Sequence, residues 1–348
     1  WILGVCAFFP VALSAQPPGA GGKRMRPVLT DTPPVIDGRL DDAVWGRAAI
    51  VEDLHQVLPI EYAEPTEPTT VYVLYDQDAL YVGARLWDSE PGQITAQILR
   101  QGELMGTDDV FAVMLSPFND QRSGYIFSAN PNGVRVEGLF EGTTRILMDW
   151  DGIWNTRSTV DDDGWATEFA IPLKSLSFNP NSDEWGINFY RRLARKQETM
   201  GWISRNRNLR PGIFGVAEGL SEIQQGVGLD IVPSLSLHKF KQYSSGRMDS
   251  DIEPSLDIFH KLTSGLTGVL TLNTDFSATE VDDRQVNLTR FSLFFPEKRD
   301  FFLQDADIFG FGRLGAYGGP DNNNARPFFS RTIGLSPNRE PVDLEGGL

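Results

Sequence analysis

Short apolar runs, separated by turn-forming residues, constrain the fold of this chain more than any other feature. Between residues 33 and 223 the runs are rich in Val, Ile, Phe, Tyr and Trp and are bounded by Gly, Pro, Asn or Asp. Runs of this length between such turns are typical of β-strands in an antiparallel sandwich. The predicted strands are Thr70–Tyr75, Leu80–Trp87, Val110–Leu115, Gly124–Ala129, Val134–Phe140, Trp165–Ile171 and Trp185–Ala194.

Alternation within these runs predicts which side chains face the core. Apolar residues occupy every second position from Trp165 to Ile171, and Trp185 shares one face with Ile187 and Phe189. We therefore predict that Trp165 and Trp185 are core residues. Trp45 lies between two alanines in a predicted helical turn, where its ring can cap the sandwich, so we expect it to be structural.

A second pattern begins after Gly226. Apolar residues alternate with mostly polar ones in three runs of about ten residues, a spacing that transmembrane β-barrels show. A water-soluble sheet with one wet face gives the same alternation, so periodicity alone leaves both alternatives open. The alternating positions are Leu229, Ile231, Leu235 and Leu237, then Ile252, Leu256 and Ile258, then Leu266, Leu270, Leu272 and Phe276.

Charge and composition exclude several classes of function. The chain of 348 residues has a formal net charge of -16, which argues against nucleic acid or an anionic membrane surface as partner. Cys6 is its single cysteine, and its three histidines lie far apart in the sequence. No phosphate-binding loop, dinucleotide fingerprint or nucleophile elbow occurs, and no spacing of carboxylates singles out a glycosidase pair. We name no catalytic residue, and whether the chain is an enzyme stays open.

The first 32 residues have the composition of an export signal and a linker. Residues 1–15 are apolar and end in small residues, which predicts a secretory signal peptide that has lost its positively charged start. Residues 16–32 are rich in Pro and Gly and are predicted to be a linker. We expect the mature protein to be exported.

Two stretches resemble known families. The string P-P-V-I-D-G-R-L-D-D-A-V-W at residues 33–45, with the two apolar runs that follow, resembles the opening of the family 9 carbohydrate-binding module. The string Q-V-N-L-T-R-F-S-L-F-F-P-E-K-R-D-F-F-L at residues 285–303 is similar to the start of a bacterial outer-membrane barrel family of unknown function. In that family a module similar to carbohydrate-binding family 9 precedes the barrel.

Together the resemblances imply an all-β chain with two parts. Residues 33–223 are expected to form an antiparallel, jelly-roll-like β-sandwich, and residues 226–348 the first part of an antiparallel outer-membrane β-barrel. Only three or four strand-like runs fit in the second part, whereas a barrel needs at least about eight. We therefore expect the barrel to be incomplete and the chain to be truncated at both ends. Lipid of a Gram-negative outer membrane is then a partner, with the sandwich periplasmic or at the cell surface.

The first resemblance implies a sugar site. Tryptophan rings offer flat faces for the C–H surface of a sugar, and planar polar groups bind its hydroxyls. Exposed platforms are sought among Trp87, Trp150, Trp154 and Trp202. The family clamps its sugar between two tryptophans. Trp202 matches the later one, whereas residues 101–107, where the other is expected, contain none. The candidate ligand-binding residues are Trp202, Arg122, Arg100, Asp109, Asn130 and Trp154.

No metal ligands can be named from the sequence. Asp161-Asp162-Asp163-Gly164 resembles a fragment of a calcium loop, but it lacks the spaced ligands and distal glutamate of such loops. We interpret it as a hairpin turn before Trp165. The related modules bind calcium, so the resemblance leaves room for a structural calcium ion.

Three functional hypotheses follow. The sandwich binds an oligo- or polysaccharide for capture or uptake while the barrel tethers it to the outer membrane. Alternatively, the chain belongs to a system of glycoside hydrolysis and carbohydrate catabolism. In the third hypothesis the sandwich is a plug or gate for the barrel and binds no sugar.

Overall fold

The computed structural model describes residues 22–141, 145–148, 150–223, 229–242, 247–263, 266–273 and 346–347. The described chain is all-β, as predicted, with five short 3-10 helices and no longer helix. No helix in these ranges has the length and apolar character to cross a membrane. The predicted signal peptide and the string at residues 285–303 lie outside the described residues.

Two packed sheets form the sandwich. Sheet one has the order β1-β15-β13-β7-β8-β9-β10, with β14 bridging β13 and β4, and sheet two has the order β11-β12-β6-β5-β2, with β3 also on β5. The strands of sheet one are β1 Arg24–Met25, β4 His55–Leu58, β7 Val110–Ser116, β8 Gly124–Ala129, β9 Arg135–Glu141, β10 Arg145–Leu147, β13 Glu184–Leu193, β14 Glu198–Gly201 and β15 Gly215–Glu218. Those of sheet two are β2 Val28–Leu29, β3 Ala49–Val51, β5 Thr69–Tyr75, β6 Ala79–Trp87, β11 Asn155–Asp161 and β12 Gly164–Pro172. The 3-10 helices are Trp45–Arg47, Pro91–Gln93, Leu173–Ser175, Ala194–Lys196 and Pro211–Ile213.

All seven predicted strands are present, with bounds within two residues of those predicted. The sequence pattern missed the other eight described strands of the sandwich, of which seven have only two to four residues. The eighth is β11, whose residues N-T-R-S-T-V-D are mostly polar, because this edge strand leaves much of its surface in water. The predicted linker also differs, because β1 and β2 lie inside it. Each is a two-residue strand that adds in parallel to an otherwise antiparallel sheet, β1 to β15 and β2 to β5.

Aromatic side chains fill the space between the sheets. Trp165 and Trp185 are each 1% exposed, which confirms their prediction as core residues. Phe111 of sheet one packs edge-on against Phe169 of sheet two, with ring centroids 5.9 Å apart, and stacks on Phe189 at 6.2 Å. Burial of rings of this size supplies most of the hydrophobic stabilisation of such a sandwich.

A loop carrying Trp45 covers part of the outer face of sheet two. Trp45 is 2% exposed, as predicted for a structural residue, and its indole Nε1 donates to Glu168 Oε1 at 2.9 Å. The backbone N–H groups of Asp37 and Gly38 donate to the other carboxylate oxygen. Burial raises the pKa of Glu168 to about 7, although these donors act in the opposite direction. The Glu168 carboxylate on β12 thus holds in place both the turn at Asp37 and Gly38 and the helical turn at Trp45, which were predicted from the sequence.

A third sheet follows the sandwich. It contains β16 Leu229–Gln242, β17 Arg247–Thr263, β18 Leu266–Leu272 and the short β19 Gly346–Gly347, in that order. Ile231 pairs with Ile258, which pairs with Leu270, so the alternating apolar residues of three strands share one face. Barrel closure would involve residues outside the described ranges, so the barrel stays a prediction.

Candidate functional site

An exposed tryptophan marks one surface of the sandwich. Trp87 ends β6 and is 40% exposed, whereas Trp45, Trp154 and Trp202 are each exposed by 3% or less. Because side chains alternate along a strand, Arg85 and Trp87 point to the same, outer face of sheet two. Arg85 lies opposite Ala166 of β12 and Thr70 of β5.

Arg85 links the tryptophan to a carboxylate. Its guanidinium carbon lies 4.7 Å from the centroid of the Trp87 ring, within the range of a cation–π contact. Its two terminal nitrogens each donate to one oxygen of Asp161 at 2.6 Å. These bonds lower the pKa of Asp161, which therefore remains a carboxylate at neutral pH. We call the surface formed by Trp87, Arg85, Asp161, Ala166 and Thr70 the Trp87 face.

Small residues lie beside Trp87 and Arg85 on the neighbouring strands. Gly164 lies opposite Trp87, and Ala166 and Thr70 flank Arg85 with 5% and 8% exposure. Thr70 Oγ1 donates to Glu52 Oε1 at 3.3 Å, which adds a second carboxylate at the edge. The Trp87 face therefore presents an exposed aromatic ring and the Asp161 carboxylate, which is 49% exposed, while the Arg85 side chain in contact with both is 13% exposed.

Trp202, the strongest candidate from the sequence, is in a different environment. It is 2% exposed, its ring centroid is 6.0 Å from that of Phe189, and its Nε1 donates to Asp53 Oδ1 at 2.8 Å. It lies in the floor of a groove of about 270 Å³ that Lys23 and Arg26 also line. Lys23 Nζ bonds Asp53 and the Trp202 carbonyl. Because so little of the ring is exposed, Trp202 offers no free face for stacking.

Trp154 also differs from its prediction as a ligand platform. It is 3% exposed and stacks on Phe169, with ring centroids 5.4 Å apart and an angle of 8° between the planes. Phe127 closes one side of the ring at 5.2 Å. Trp150 is partly buried against Tyr125 at 5.1 Å. These contacts give Trp154 a packing role between the two sheets.

Asp109 and Asn130 are buried, and they hold turns together. Asp109 accepts hydrogen bonds from the backbone N–H groups of Thr95 and Ala194. Asn130 donates to the Ile98 carbonyl and to Asp108 Oδ2, both at 2.9 Å. The exposed fraction of both residues is 0%, so neither carries a free group for a sugar in this conformation.

Arg122 and Arg100 are exposed, as a ligand-binding role requires. The backbone N–H of Arg122 donates to Asp120 Oδ1, in a polar turn of the kind predicted. Of the six predicted residues, Asn130 contacts Asp108, the neighbour of Asp109, and the carbonyl of Ile98, two residues before Arg100, whereas Trp202 lies elsewhere against Asp53. Sequence reasoning missed Arg85 and Asp161. Arg85 could have been found from its position, because it lies two residues before Trp87 on a predicted strand and therefore on the same face of the sheet.

No group of three or more His, Cys, Asp or Glu side chains in the described ranges is arranged to hold a metal ion. Asp161 pairs with Gly164 across a hairpin, which confirms the interpretation of that segment as a turn. The calcium ion implied by the resemblance stays a prediction. Elsewhere burial, with a further contribution from Asp151, raises the pKa of Glu137 to about 7.

Comparison with known proteins covers both parts of the chain. Residues 226–345 match the family model of a domain of unknown function, DUF5916. No curated protein matches the sequence. A family 9 carbohydrate-binding module from Caldicellulosiruptor kristjanssonii, solved with cellotriose, is similar over 56% of this chain and 93% of its own, with a TM-score of 0.41 and 20% identity. A family 9 module from the same organism, solved with glucose, is similar over 56% of this chain and 95% of its own, with a TM-score of 0.41 and 18% identity. A putative carbohydrate-binding protein from Bacteroides uniformis ATCC 8492 is similar over 57% and 99%, with a TM-score of 0.44 and 13% identity.

Proposed function

We propose that this chain is a glycan-binding protein and that its sandwich binds saccharide on the Trp87 face. The observation that carries the proposal is the exposed Trp87 ring beside the Arg85–Asp161 pair. A sugar ring presents C–H groups on one surface and hydroxyls around its edge. The indole suits the first, while the guanidinium and carboxylate offer donors and acceptors to the second.

The pairing of Arg85 makes this surface preorganised. Bidentate contact with Asp161 holds the guanidinium plane in place before any ligand arrives. Binding then costs less side-chain entropy than it would with a free arginine. The same pairing leaves little net positive charge, so the proposed ligand is an uncharged hydroxyl-rich molecule.

Trp87→Ala is expected to weaken saccharide binding by about tenfold or more, equivalent to about 1.4 kcal/mol. The reason is loss of the only stacking surface on the Trp87 face, while the exposed ring contributes little to folding. Calorimetric titration of the full chain with gluco- and xylo-oligosaccharides measures the change. Val160→Ala is the control, since Val160 is 46% exposed and precedes Asp161 on the opposite side of β11.

A wild-type chain that binds no saccharide at millimolar concentration would contradict the proposal. The hypothesis of a plug or gate without a sugar ligand would then take its place. Release of reducing ends from a polysaccharide would instead support the hydrolase hypothesis.

We also propose that the third sheet lies in a bacterial outer membrane. Several apolar side chains on one face of this sheet are exposed. Ile231, Leu235 and Ile252 are 57%, 64% and 62% exposed on the apolar face, whereas Ser255 and Thr271 on the other face are 8% and 2% exposed. Thr271 Oγ1 donates to Asp257 on that second face, where Val232 of β16 is 43% exposed. In water such an arrangement is unfavourable, but lipid on the apolar face makes it favourable.

Strand length agrees with this proposal. β16 has 14 residues and β17 has 17, while a tilted strand needs about 9–11 residues to cross the hydrocarbon of a membrane. We infer that the third sheet tethers the glycan-binding sandwich to the outer membrane and that the protein acts in capture or uptake of saccharides.

Leu235→Arg is expected to destabilise membrane assembly by about 2–4 kcal/mol if the position lies near the bilayer midplane, and by less nearer the interface. The charge would replace an apolar contact with lipid. Ser234→Arg is the matched control, because Ser234 is the preceding residue and points to the opposite face. The measurement is the fraction of full-length protein in outer-membrane vesicles that resists urea extraction. Equal extraction of the two variants would contradict the membrane proposal.

A further inference from the structure

Arg210 is a half-buried cation that has no counter-charge among the described residues. Its guanidinium carbon lies 5.6 Å from the centroid of the Phe140 ring. Its Nη1 atom is buried and has no hydrogen-bond partner in the described ranges. Burial alone lowers the pKa of Arg210, which remains a cation at neutral pH. Because a buried charge is costly unless it is paired and hydrogen-bonded, this guanidinium is favourable only with a further partner.

The segment that carries Arg210 has a fixed backbone. Arg205 and Asn208 exchange two backbone hydrogen bonds, of 3.1 and 3.0 Å. The backbone N–H of Arg210 donates to Asn208 Oδ1 at 3.0 Å. At the end of the segment the Phe214 ring packs edge-on against Phe140, with centroids 5.9 Å apart. Arg210 is therefore held by a preorganised loop, which lowers the entropic cost of binding a ligand.

Three more arginines lie near this position. Arg205 and Arg207 are on the same segment, Arg122 is on a neighbouring loop, and all three are exposed. The two loops are in contact, since a Cβ on Gly212 would lie 3.6 Å from the Gln121 carbonyl oxygen. The contact therefore brings together cations from two separate parts of the sequence.

The local charge is positive, although the chain has a formal net charge of -16. Residues 199–217 contain three arginines and no Asp or Glu. Two carboxylates that touch these loops accept hydrogen bonds from neutral groups. Glu61 Oε1 accepts from Ser204 Oγ and from the backbone N–H of Arg207, and Asp120 accepts from backbone N–H groups of its own turn. Within the described ranges, none of the four arginines forms an ion pair.

We propose that Arg210 and Arg122 form an oxyanion site, the Arg210 site, which binds a carboxylate, sulfate or phosphate group. A guanidinium presents its donors in a planar fork that matches two oxygens of such a group. Arg210 binds the oxyanion through the edge of its guanidinium that reaches the surface, and Arg122 adds a second cation from the facing loop. The oxyanion in turn supplies the counter-charge to Arg210.

The Arg210 site is separate from the Trp87 face. Trp87 ends a strand of sheet two, whereas Arg210 packs on Phe140 of sheet one. The Trp87 face was proposed to bind an uncharged saccharide, and the Arg210 site selects the opposite property, a negative charge. The two sites are therefore tested with different ligands.

Titration of the full-length protein with two kinds of ligand tests the site and distinguishes the sources of the oxyanion. Inorganic phosphate, sulfate and glucuronate are compared with a uronic acid oligosaccharide of four units, at constant ionic strength balanced with chloride. We expect phosphate and glucuronate to bind. Affinity for the oligosaccharide at least about tenfold above that for glucuronate would identify an acidic sugar as the source, and equal affinity would identify a free anion.

Arg210→Met is expected to weaken oxyanion binding by at least about tenfold, because a charge-assisted hydrogen bond is lost. Arg122→Met should weaken it by about three- to tenfold. Arg47→Met is the matched control, since Arg47 is an exposed arginine at the end of a 3-10 helix in another part of the sandwich. Both this control and Trp87→Ala should keep the wild-type affinity for phosphate.

Urea unfolding adds a readout that does not depend on titration. Methionine keeps an apolar contact with Phe140 and removes the unpaired charge. Without an oxyanion, Arg210→Met should therefore have an unfolding midpoint equal to or above that of the wild type. Phosphate should raise the midpoint of the wild type, because a ligand that binds only the folded state stabilises it, and should raise that of Arg210→Met less.

Two results would overturn the inference. In the first, none of the four ligands binds the wild-type protein at millimolar concentration. In the second, Arg210→Met binds them as tightly as the wild type and unfolds at lower urea, which would make Arg210 a packing residue. Loss of oxyanion binding and loss of neutral saccharide binding are separate measurements, so the failure of this inference is distinguishable from that of the proposed function.

Discussion

Arg191→Ala is expected to lower the free energy of unfolding of a fragment spanning residues 22–223 by about 3–5 kcal/mol, the usual cost of breaking a buried charge network. Arg191 is 0% exposed in β13. Its guanidinium donates to the carbonyls of Pro68 and Trp87, both at 2.6 Å, and to Thr69 Oγ1 at 3.0 Å. Burial lowers its pKa to about 10, opposed mainly by Asp109, Asp88 and Glu67, so it remains a cation at neutral pH.

This one side chain connects the two sheets. Pro68 precedes β5 and Trp87 ends β6, so removal of Arg191 takes a donor from two carbonyls of sheet two, of which the Pro68 carbonyl keeps the Trp87 N–H. The carboxylate of Asp109 also loses its buried counter-charge. Arg191 donates a hydrogen bond to the backbone carbonyl of Trp87. Because this bond positions Trp87, we also expect the Arg191→Ala variant to bind saccharide more weakly on the Trp87 face.

Urea unfolding followed by tryptophan fluorescence measures the change. Arg192→Ala is the matched control, because Arg192 is the next residue of the same strand and only half-buried on the other side. We expect the control to change stability by less than about 0.5 kcal/mol, as surface substitutions usually do. A loss below about 1 kcal/mol for Arg191→Ala would contradict the assignment of a structural buried cation.

Trp45→Ala is expected to cost about 3–5 kcal/mol, the range for deleting a buried aromatic side chain. The ring packs on Tyr72, with centroids 6.4 Å apart, and covers Gly83 on the outer face of sheet two. Its removal opens a cavity between the loop and the sheet and leaves Glu168 Oε1 without a donor.

Trp45→Phe separates the contribution of ring packing from that of the hydrogen bond to Glu168. It keeps most of the ring volume and removes the indole donor, so we expect a loss of about 1–3 kcal/mol from the buried acceptor alone. Trp87→Ala is the control for exposed tryptophan and should leave stability nearly unchanged. If Trp45→Ala unfolds at the wild-type urea concentration while saccharide binding disappears, Trp45 is a ligand residue and the structural assignment is wrong.

The strands could be predicted from the sequence because their signals are local. Alternation of apolar residues, β-branched content and flanking turn residues identified all seven predicted strands, and the alternation around Trp165 and Trp185 placed both rings in the core. β11 was missed, since an edge strand exposed to water needs no apolar alternation. β1 and β2 were missed because two residues that add in parallel to a sheet edge leave no periodic pattern.

The burial of the candidate site residues could not be predicted from the sequence. Trp202, Trp154, Asp109 and Asn130 have the residue types of a sugar site, yet all four are buried by partners distant in the sequence. Trp87, named from the sequence as one of four platforms, is exposed because it ends its strand opposite Gly164. Asp161, the ion-pair partner of Arg85, is 76 residues away from it in the sequence. The two residues come together because β12 pairs with both β6 and β11.

The sequence by itself determined the all-β class, seven strands of the sandwich, the helical turn at Trp45 and the apolar alternation after Gly226, because each depends on side chains within a few residues of one another. Only the tertiary structure decided which tryptophan faces water, which arginine is buried and which carboxylate pairs with Arg85. Burial and ion pairing depend on what the opposite strand or sheet places against a side chain, and that information is spread over the whole sandwich.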